Sequence, residues 1–112
     1  MPLNQWNDVQ ELNDFLLEKG SGFIFKHSTR CGVSSEAARE IERFLDSHTE
    51  APFFRVLVIE NRATSNAITE QLGVVHASPQ VILIRDGKTA WKASHWEITE
   101  SSLAEAWATV NA

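Results

Sequence analysis

Apolar residues recur along the chain with two different periods, and the changes of period divide it into alternating helices and strands. Apolar residues spaced three and four apart indicate amphipathic helices, each flanked by capping residues or glycine. The pattern predicts four helices. The first is capped by Asn7, with Gln10 at capping-box spacing, and is ended by Gly20 and Gly22, and the second runs from about Gly32 to Ser47. The third runs from about Thr64 to Leu72 with Gly73 as a left-handed C-cap, and the fourth is capped by Thr99 with Ile98 and Leu103 as a hydrophobic staple.

Short continuous apolar runs between these helices predict buried strands at Phe23–Phe25, Val56–Ile59 and Val81–Ile84. Asp86-Gly87 is a strong hairpin signal, so a fourth strand should return through residues 90–92. Two right-handed crossovers make the first strands parallel, and the hairpin makes the last pair antiparallel. The sequence therefore predicts one α/β domain over residues 1–112, with a mixed four-stranded sheet flanked by helices. This is the thioredoxin-like arrangement, although other α/β folds share the element order.

Composition excludes several classes of function. The 112 residues suit one domain, and the net charge of −5, with 10 basic residues scattered among 15 acids, argues against nucleic-acid binding. No apolar stretch approaches the length of a membrane span, and the polar, acidic N-terminus is unlike a secretory signal. One cysteine excludes an internal disulfide and suits a reducing compartment, so we expect a cytoplasmic protein. The four histidines lack ligand spacing, and no metal site is predicted.

The single cysteine stands between a predicted strand and a predicted helix. Unpaired backbone N–H groups and the helix dipole favour an anion at that position, so the thiolate of Cys31 should be stabilised there. Thr29, Arg30 and Gly32 adjoin it, and Arg30 could also stabilise the thiolate or attract an acidic thiol. Ser34 occupies the place of the second cysteine in a C-x-x-C motif. Its hydroxyl could donate a hydrogen bond to the Cys31 sulfur but cannot resolve a mixed disulfide.

A purely packed role is as common for a lone cysteine as a reactive one. The polar neighbours of Cys31 favour the reactive role, because they form a poor setting for a side chain that only fills space. On that interpretation the thiolate attacks a disulfide, and a second thiol in solution releases the mixed product.

A second group of residues should meet Cys31 at the same end of the sheet. The strand that follows Ser78-Pro79 starts at the cysteine end, and the hairpin returns the chain there near Ser94. His95 and Trp96 could thus form a rim of the site. The alternatives are that Pro79 merely starts a strand and that Trp96 packs in the core, which is the commoner role of a tryptophan.

Several runs of residues resemble the monothiol bacilliredoxin family, over nearly the whole chain. They are Lys26-His27-Ser28-Thr29, Cys31 with Ser34, His76-Ala77-Ser78-Pro79-Gln80-Val81, and Ser94-His95-Trp96-Glu97-Ile98-Thr99. The resemblance implies a thioredoxin fold with a cis Pro79 facing Cys31, and removal of bacillithiol from S-thiolated proteins with Cys31 as the nucleophile. Pro79 would shape the groove, and the Ser78 backbone could pair with the substrate chain. It also implies bacillithiol as co-substrate with no tightly bound cofactor; we favour a monomer.

The residue after the cysteine departs from this pattern. Gly32 stands where compared members carry proline, which leaves the nucleophile intact but loosens the loop. Cys31-Gly32-Val33-Ser34 is also similar to the signature of monothiol glutaredoxins, which hold an iron–sulfur cluster with glutathione. That family further expects a glycine-rich patch and Cys-Asp, which residues 89–96 lack, so cluster carriage ranks second. A thioredoxin-fold adaptor without turnover, with Cys31 buried and unreactive, is a third hypothesis.

Overall fold

The computed structural model describes residues 3–110, which form four helices around one five-stranded sheet. In chain order the elements are β1 (Leu3–Gln5), α1 (Val9–Leu17), β2 (Gly22–His27), α2 (Gly32–Ser47), β3 (Phe53–Leu57), α3 (Arg62–Leu72), β4 (Gln80–Arg85), β5 (Lys88–Ser94), a 3-10 turn (His95–Glu97) and α4 (Glu100–Val110). None of the helices in this range is long and apolar enough to cross a bilayer.

The sheet has the strand order β1-β3-β2-β4-β5, with β2 at its centre. β3 runs parallel to β1 and β2, whereas β4 runs antiparallel to β2 and to β5. The predicted parallel pairing of β2 with β3 and the antiparallel β4–β5 hairpin are confirmed. The second predicted crossover, which would make β4 parallel to these strands as well, was wrong, because the connection through α3 returns the chain antiparallel to β2. The β4–β5 turn is made by Asp86 and Gly87, whose φ values of 52° and 79° are the left-handed pair that such a hairpin needs.

Alternate residues of β2 feed two separate apolar layers, as the two-residue period of a strand requires. Phe23 and Phe25 pack among residues of α2 and α4 on one face. Ile24 packs on the other face, in the cluster that includes Leu12 of α1 and Ile68 of α3. Because both faces are covered, every residue of β2 is buried.

The sequence missed one strand and misplaced another. The sheet has five strands rather than four, because β1 has only three residues, is partly exposed and carries no apolar run. β3 begins at Phe53 and ends at Leu57, so the prediction of Val56–Ile59 was wrong at both ends. Aromatic side chains also favour strands, and Phe53 pairs with β1 and β2 while Val58 and Ile59 lie in the turn before α3.

Helix boundaries were predicted more accurately than caps. α2 has the predicted limits, and Gly73 takes the left-handed C-cap conformation, with φ 64°. α1 is capped by Asp8 in a capping box with Glu11, not by Asn7 with Gln10, and it ends at Leu17 before either glycine. Thr99 accepts a hydrogen bond from the Ser102 N–H, as a cap of α4 should.

Candidate functional site

Cys31 is the N-cap of α2, at the sheet edge where β2 ends. Its backbone is extended (φ −114°, ψ 123°), and its carbonyl accepts the N–H of Ser35 at 3.1 Å. The Cys31 N–H donates to the Ser28 carbonyl at 3.3 Å, which closes the turn between strand and helix. The thiol is free and half-buried. The predicted strand–cysteine–helix placement is therefore confirmed, and the side chain is not wholly packed away.

Ser34 makes contacts other than the expected hydrogen bond to the Cys31 sulfur. The side chain is fully buried, and its Oγ lies 2.7 Å from Nδ1 of His27 and accepts the Ser28 N–H at 3.0 Å. The structure gives it no hydrogen bond to the Cys31 sulfur, so the expected contact between them was wrong. Ser34 instead ties the first turn of α2 to the end of β2.

His27 is a buried partner of Ser34. Burial lowers its pKa from the usual 6.5, the nearby Arg55 guanidinium lowers it further, and Glu60 partly opposes the shift. A neutral imidazole bonded to the hydroxyl of Ser34 is consistent with this burial. His27 therefore supports the first turn of α2, next to Cys31, from the protein interior.

Ser78 and Pro79 lie at the same sheet edge as Cys31. The Ser78–Pro79 peptide is cis, and the Pro79 carbonyl accepts the His95 N–H at 3.0 Å. The next residue, Gln80, pairs across the sheet with Lys26 on one side and Ser94 on the other. The structure thus places the proline and the residues after β5 beside each other, as predicted.

The rim residues are open to solvent. Trp96 is 70% exposed, so the alternative in which it packs in the core is wrong. His95 and Trp96 lie in the 3-10 turn after β5 and flank a small cavity of about 120 Å³ against α2. Thr29 and Arg30 are also exposed, and Arg30 makes no ion pair or hydrogen bond to another residue of the described chain.

Gly32 is the first residue of α2 and is exposed. A Cβ built at this position would meet no heavy atom within 4 Å. The glycine is thus required neither by a positive φ nor by a close approach of another group.

Sequence reasoning overlooked a buried lysine near this edge. Lys26 has no exposed surface, and its Nζ lies 2.9 Å from Oγ1 of Thr69 and 3.2 Å from Nδ1 of His76. Burial lowers the pKa of this amine from 10.5 to about 8. The strand alternation carried a signal, because Lys26 follows Ile24 by two residues and so shares its buried face.

Among residues 3–110, no group of three His, Cys, Asp or Glu side chains is arranged to hold a metal ion.

Residues 3–103 match the family described as monothiol bacilliredoxin BrxC. The chain belongs to the monothiol bacilliredoxin family. A structure solved as a candidate oxidoreductase with a thioredoxin fold is similar to it, with 27% identity, a TM-score of 0.86, and coverage of 94% of this chain and 93% of the other. This bacilliredoxin-family chain is thus also similar to a solved thioredoxin-fold protein.

Thioredoxins share the fold at lower identity. The thioredoxin of Fasciola hepatica is 21% identical with a TM-score of 0.75, covering 96% of this chain and 98% of its own. The thioredoxin of Trypanosoma brucei brucei is 16% identical with a TM-score of 0.79, covering 97% and 90%. The predicted thioredoxin-like α/β fold and the predicted family are both confirmed, and the family and fold support a thiol oxidoreductase.

Proposed function

We propose that this bacilliredoxin-family protein removes a low-molecular-weight thiol, bacillithiol, from S-thiolated proteins through a mixed disulfide on Cys31. The observation that carries the proposal is the free thiol of Cys31 at the N-cap of α2, in a chain of this family. The orphan N–H groups of the first helical turn and the helix dipole stabilise a thiolate there.

The first step is an exchange at sulfur. The Cys31 thiolate attacks the bacillithiol sulfur of a protein–bacillithiol disulfide, forming a new S–S bond as the protein thiolate leaves and takes up a proton. Ser34 is a buried hydroxyl and cannot release the adduct. A second molecule of low-molecular-weight thiol therefore attacks the adduct, loses its proton, and leaves as the symmetrical or mixed disulfide while Cys31 returns to the thiolate.

The residues around Cys31 would meet the two substrates. The Ser78–Pro79 segment supplies backbone beside which a substrate chain could lie, and Trp96 offers an exposed aromatic face. Arg30 carries a free positive charge next to the nucleophile and would favour an acidic thiol. These roles fit a soluble co-substrate with no tightly bound cofactor and no nucleic-acid or membrane partner. The proposed setting is the reducing cytoplasm, where the enzyme would serve redox homeostasis as a monomer.

The direct test is transfer of bacillithiol from a peptide mixed disulfide to the protein, followed by intact mass. We expect a single adduct on the wild type, released by added thiol, and none on Cys31→Ser. Ser47→Ala, at an exposed serine at the far end of α2 from Cys31, is the control for a change of one side chain in this helix. Adduct formation by Cys31→Ser would contradict the mechanism.

The same samples separate the other hypotheses. A preparation carrying iron and an absorbance band of an iron–sulfur cluster would favour the cluster carrier. A Cys31 that reacts with iodoacetamide only after unfolding would favour the non-catalytic adaptor. A wild type that takes glutathione as readily as bacillithiol would retain the mechanism but overturn the choice of thiol.

A further inference from the structure

A buried amine lies beneath the loop that carries the cis proline. This proline loop, residues 74–79, connects the C-cap of α3 to β4. Lys26 reaches it from β2, with its Nζ 3.2 Å from Nδ1 of His76 and 2.9 Å from Oγ1 of Thr69 on α3. No carboxylate within residues 3–110 forms an ion pair with this amine. Its two described side-chain partners are the hydroxyl of Thr69 and the imidazole of His76, and the second of these belongs to the loop.

A second buried side chain holds the neighbouring residue of the loop. Gln80 is 3% exposed, and its Nε2 donates to the Val75 carbonyl at 3.1 Å. Gln80 is also the residue that pairs with Lys26 across β2 and β4. Val75 itself is 80% exposed, so burial of its own side chain does not anchor this part of the loop. Two polar side chains from adjacent strands contact this part of the loop, next to Val74, which is itself buried.

The direction of the hydrogen bond to His76 follows from its chemistry. A protonated lysine only donates, so Nδ1 of His76 must accept, and the imidazole N–H is on Nε2. Burial and the nearby Lys26 and Arg62 cations lower the pKa of His76, which favours this neutral form. The contact is thus a donor–acceptor pair that persists while the imidazole is neutral.

The last two residues of β2 serve opposite sides of the site. His27 contacts Ser34 in the first turn of α2 on one face, and Lys26 contacts His76 of the proline loop on the other. We propose that Lys26 is a positioning residue, which through His76 sets the placement of the proline loop relative to Cys31 and so aligns the disulfide substrate. This inference rests on the proposed function.

The expected consequence is a loss of alignment without a loss of thiol reactivity. Small misplacements of a substrate-holding group cost up to about 100-fold in rate. We expect Lys26→Met to lower kcat/KM for peptide mixed disulfides about 10-fold. Alkylation of Cys31 by iodoacetamide needs no alignment by the loop and should stay within about twofold of the wild type.

Thr69→Val is the matched control, because it removes the other hydrogen bond of the same amine and leaves the contact to the loop. A merely structural role of Lys26 predicts similar losses for Lys26→Met and Thr69→Val. Positioning through His76 predicts a loss only for Lys26→Met and His76→Ala, with the double variant no worse than either. Additive losses in the double variant, or a parallel fall in alkylation, would overturn the inference.

A second readout does not depend on turnover. Backbone amide hydrogen exchange should be faster in residues 74–78 of Lys26→Met than in the wild type or Thr69→Val, with no change at the start of α2. Unchanged exchange in this segment would overturn the positioning role. If the wild type fails to release any thiol from a peptide, the proposed function fails, and the exchange measurement still decides whether Lys26 holds the loop.

Discussion

Replacing Lys26 by methionine should remove a specific dependence of stability on pH. The amine has a pKa of about 8 in the folded protein and 10.5 as a free side chain, so folding disfavours its charged form by about 3 kcal/mol relative to the unfolded chain. Between these two values the unfolded chain binds more protons than the folded protein. The free energy of unfolding therefore rises as pH increases from about 8 to about 10.5, and the cost of burying the charge is fully present below that window.

The expected size follows from the same two values. Between about pH 7 and about pH 9.5, Lys26 alone should raise the free energy of unfolding by about 2 kcal/mol. Lys26→Met lacks this titration, so its stability relative to the wild type should fall by that amount over the same interval. At pH 7 two effects of Lys26→Met on stability oppose each other. Removal of the buried charge stabilises the variant, whereas loss of the two hydrogen bonds of the amine, each bond worth about 1 kcal/mol, destabilises it.

Urea denaturation at the two pH values, on a Cys31→Ser background that removes thiol titration and oxidation, measures this difference. Lys88→Met, which removes an exposed lysine at the start of β5, is the control and should keep the pH dependence of the parent. If Lys26→Met and the parent show parallel pH dependence, the amine is not a buried, destabilised cation, and the reasoning is refuted.

Three further substitutions test other parts of the site. Gly32→Pro should raise the free energy of unfolding by about 0.5–1 kcal/mol, because proline suits a first helical position and the extended Cys31 tolerates a following proline. A lower melting temperature in thermal denaturation would contradict this. Ser34→Ala should cost about 1–3 kcal/mol by leaving the buried Ser28 N–H and His27 Nδ1 unpaired, yet retain adduct formation on Cys31, and total loss of the adduct would contradict this. Trp96→Ala should change stability by less than about 0.5 kcal/mol but raise KM for peptide mixed disulfides, and an unchanged KM would remove Trp96 from the site.

The parts of the fold that sequence predicted well are those with strong local signals. α2 combines a long amphipathic pattern with a clear start, and the Asp86-Gly87 turn needs a backbone that few residues adopt. β1 carries no such signal, because Leu3–Gln5 is ordered by pairing with β3, about fifty residues away in the chain. The cap of α1 was ambiguous for a related reason. Asn7 and Asp8 are both good caps, and the Glu11 carboxylate accepts the backbone N–H of each, but it is the Asp8 side chain that accepts the Glu11 N–H.

The candidate site likewise has parts that the local sequence pattern predicts and parts that it does not. The position of Cys31 at a strand–helix junction follows from local pattern, and so does the return of β5 to the same edge. The partners of Ser34 and Lys26 do not, because each depends on which face of β2 is turned towards α2 and which towards α3. A single-residue change of register would exchange those partners, and only the packing of the whole sheet determines the register.

The burial of Ser34 also bears on how the cycle must end. A hydroxyl that is already held by His27 and Ser28 is not poised over the sulfur, so even a thiol at this position would first have to leave those contacts. On the proposed mechanism the adduct on Cys31 is consequently released only by an external thiol, and the rate of release should rise in proportion to thiol concentration. On the same proposal the exposed Arg30 and Trp96 would also meet that second thiol, which would give the open rim a role in the second half of the reaction as well as the first.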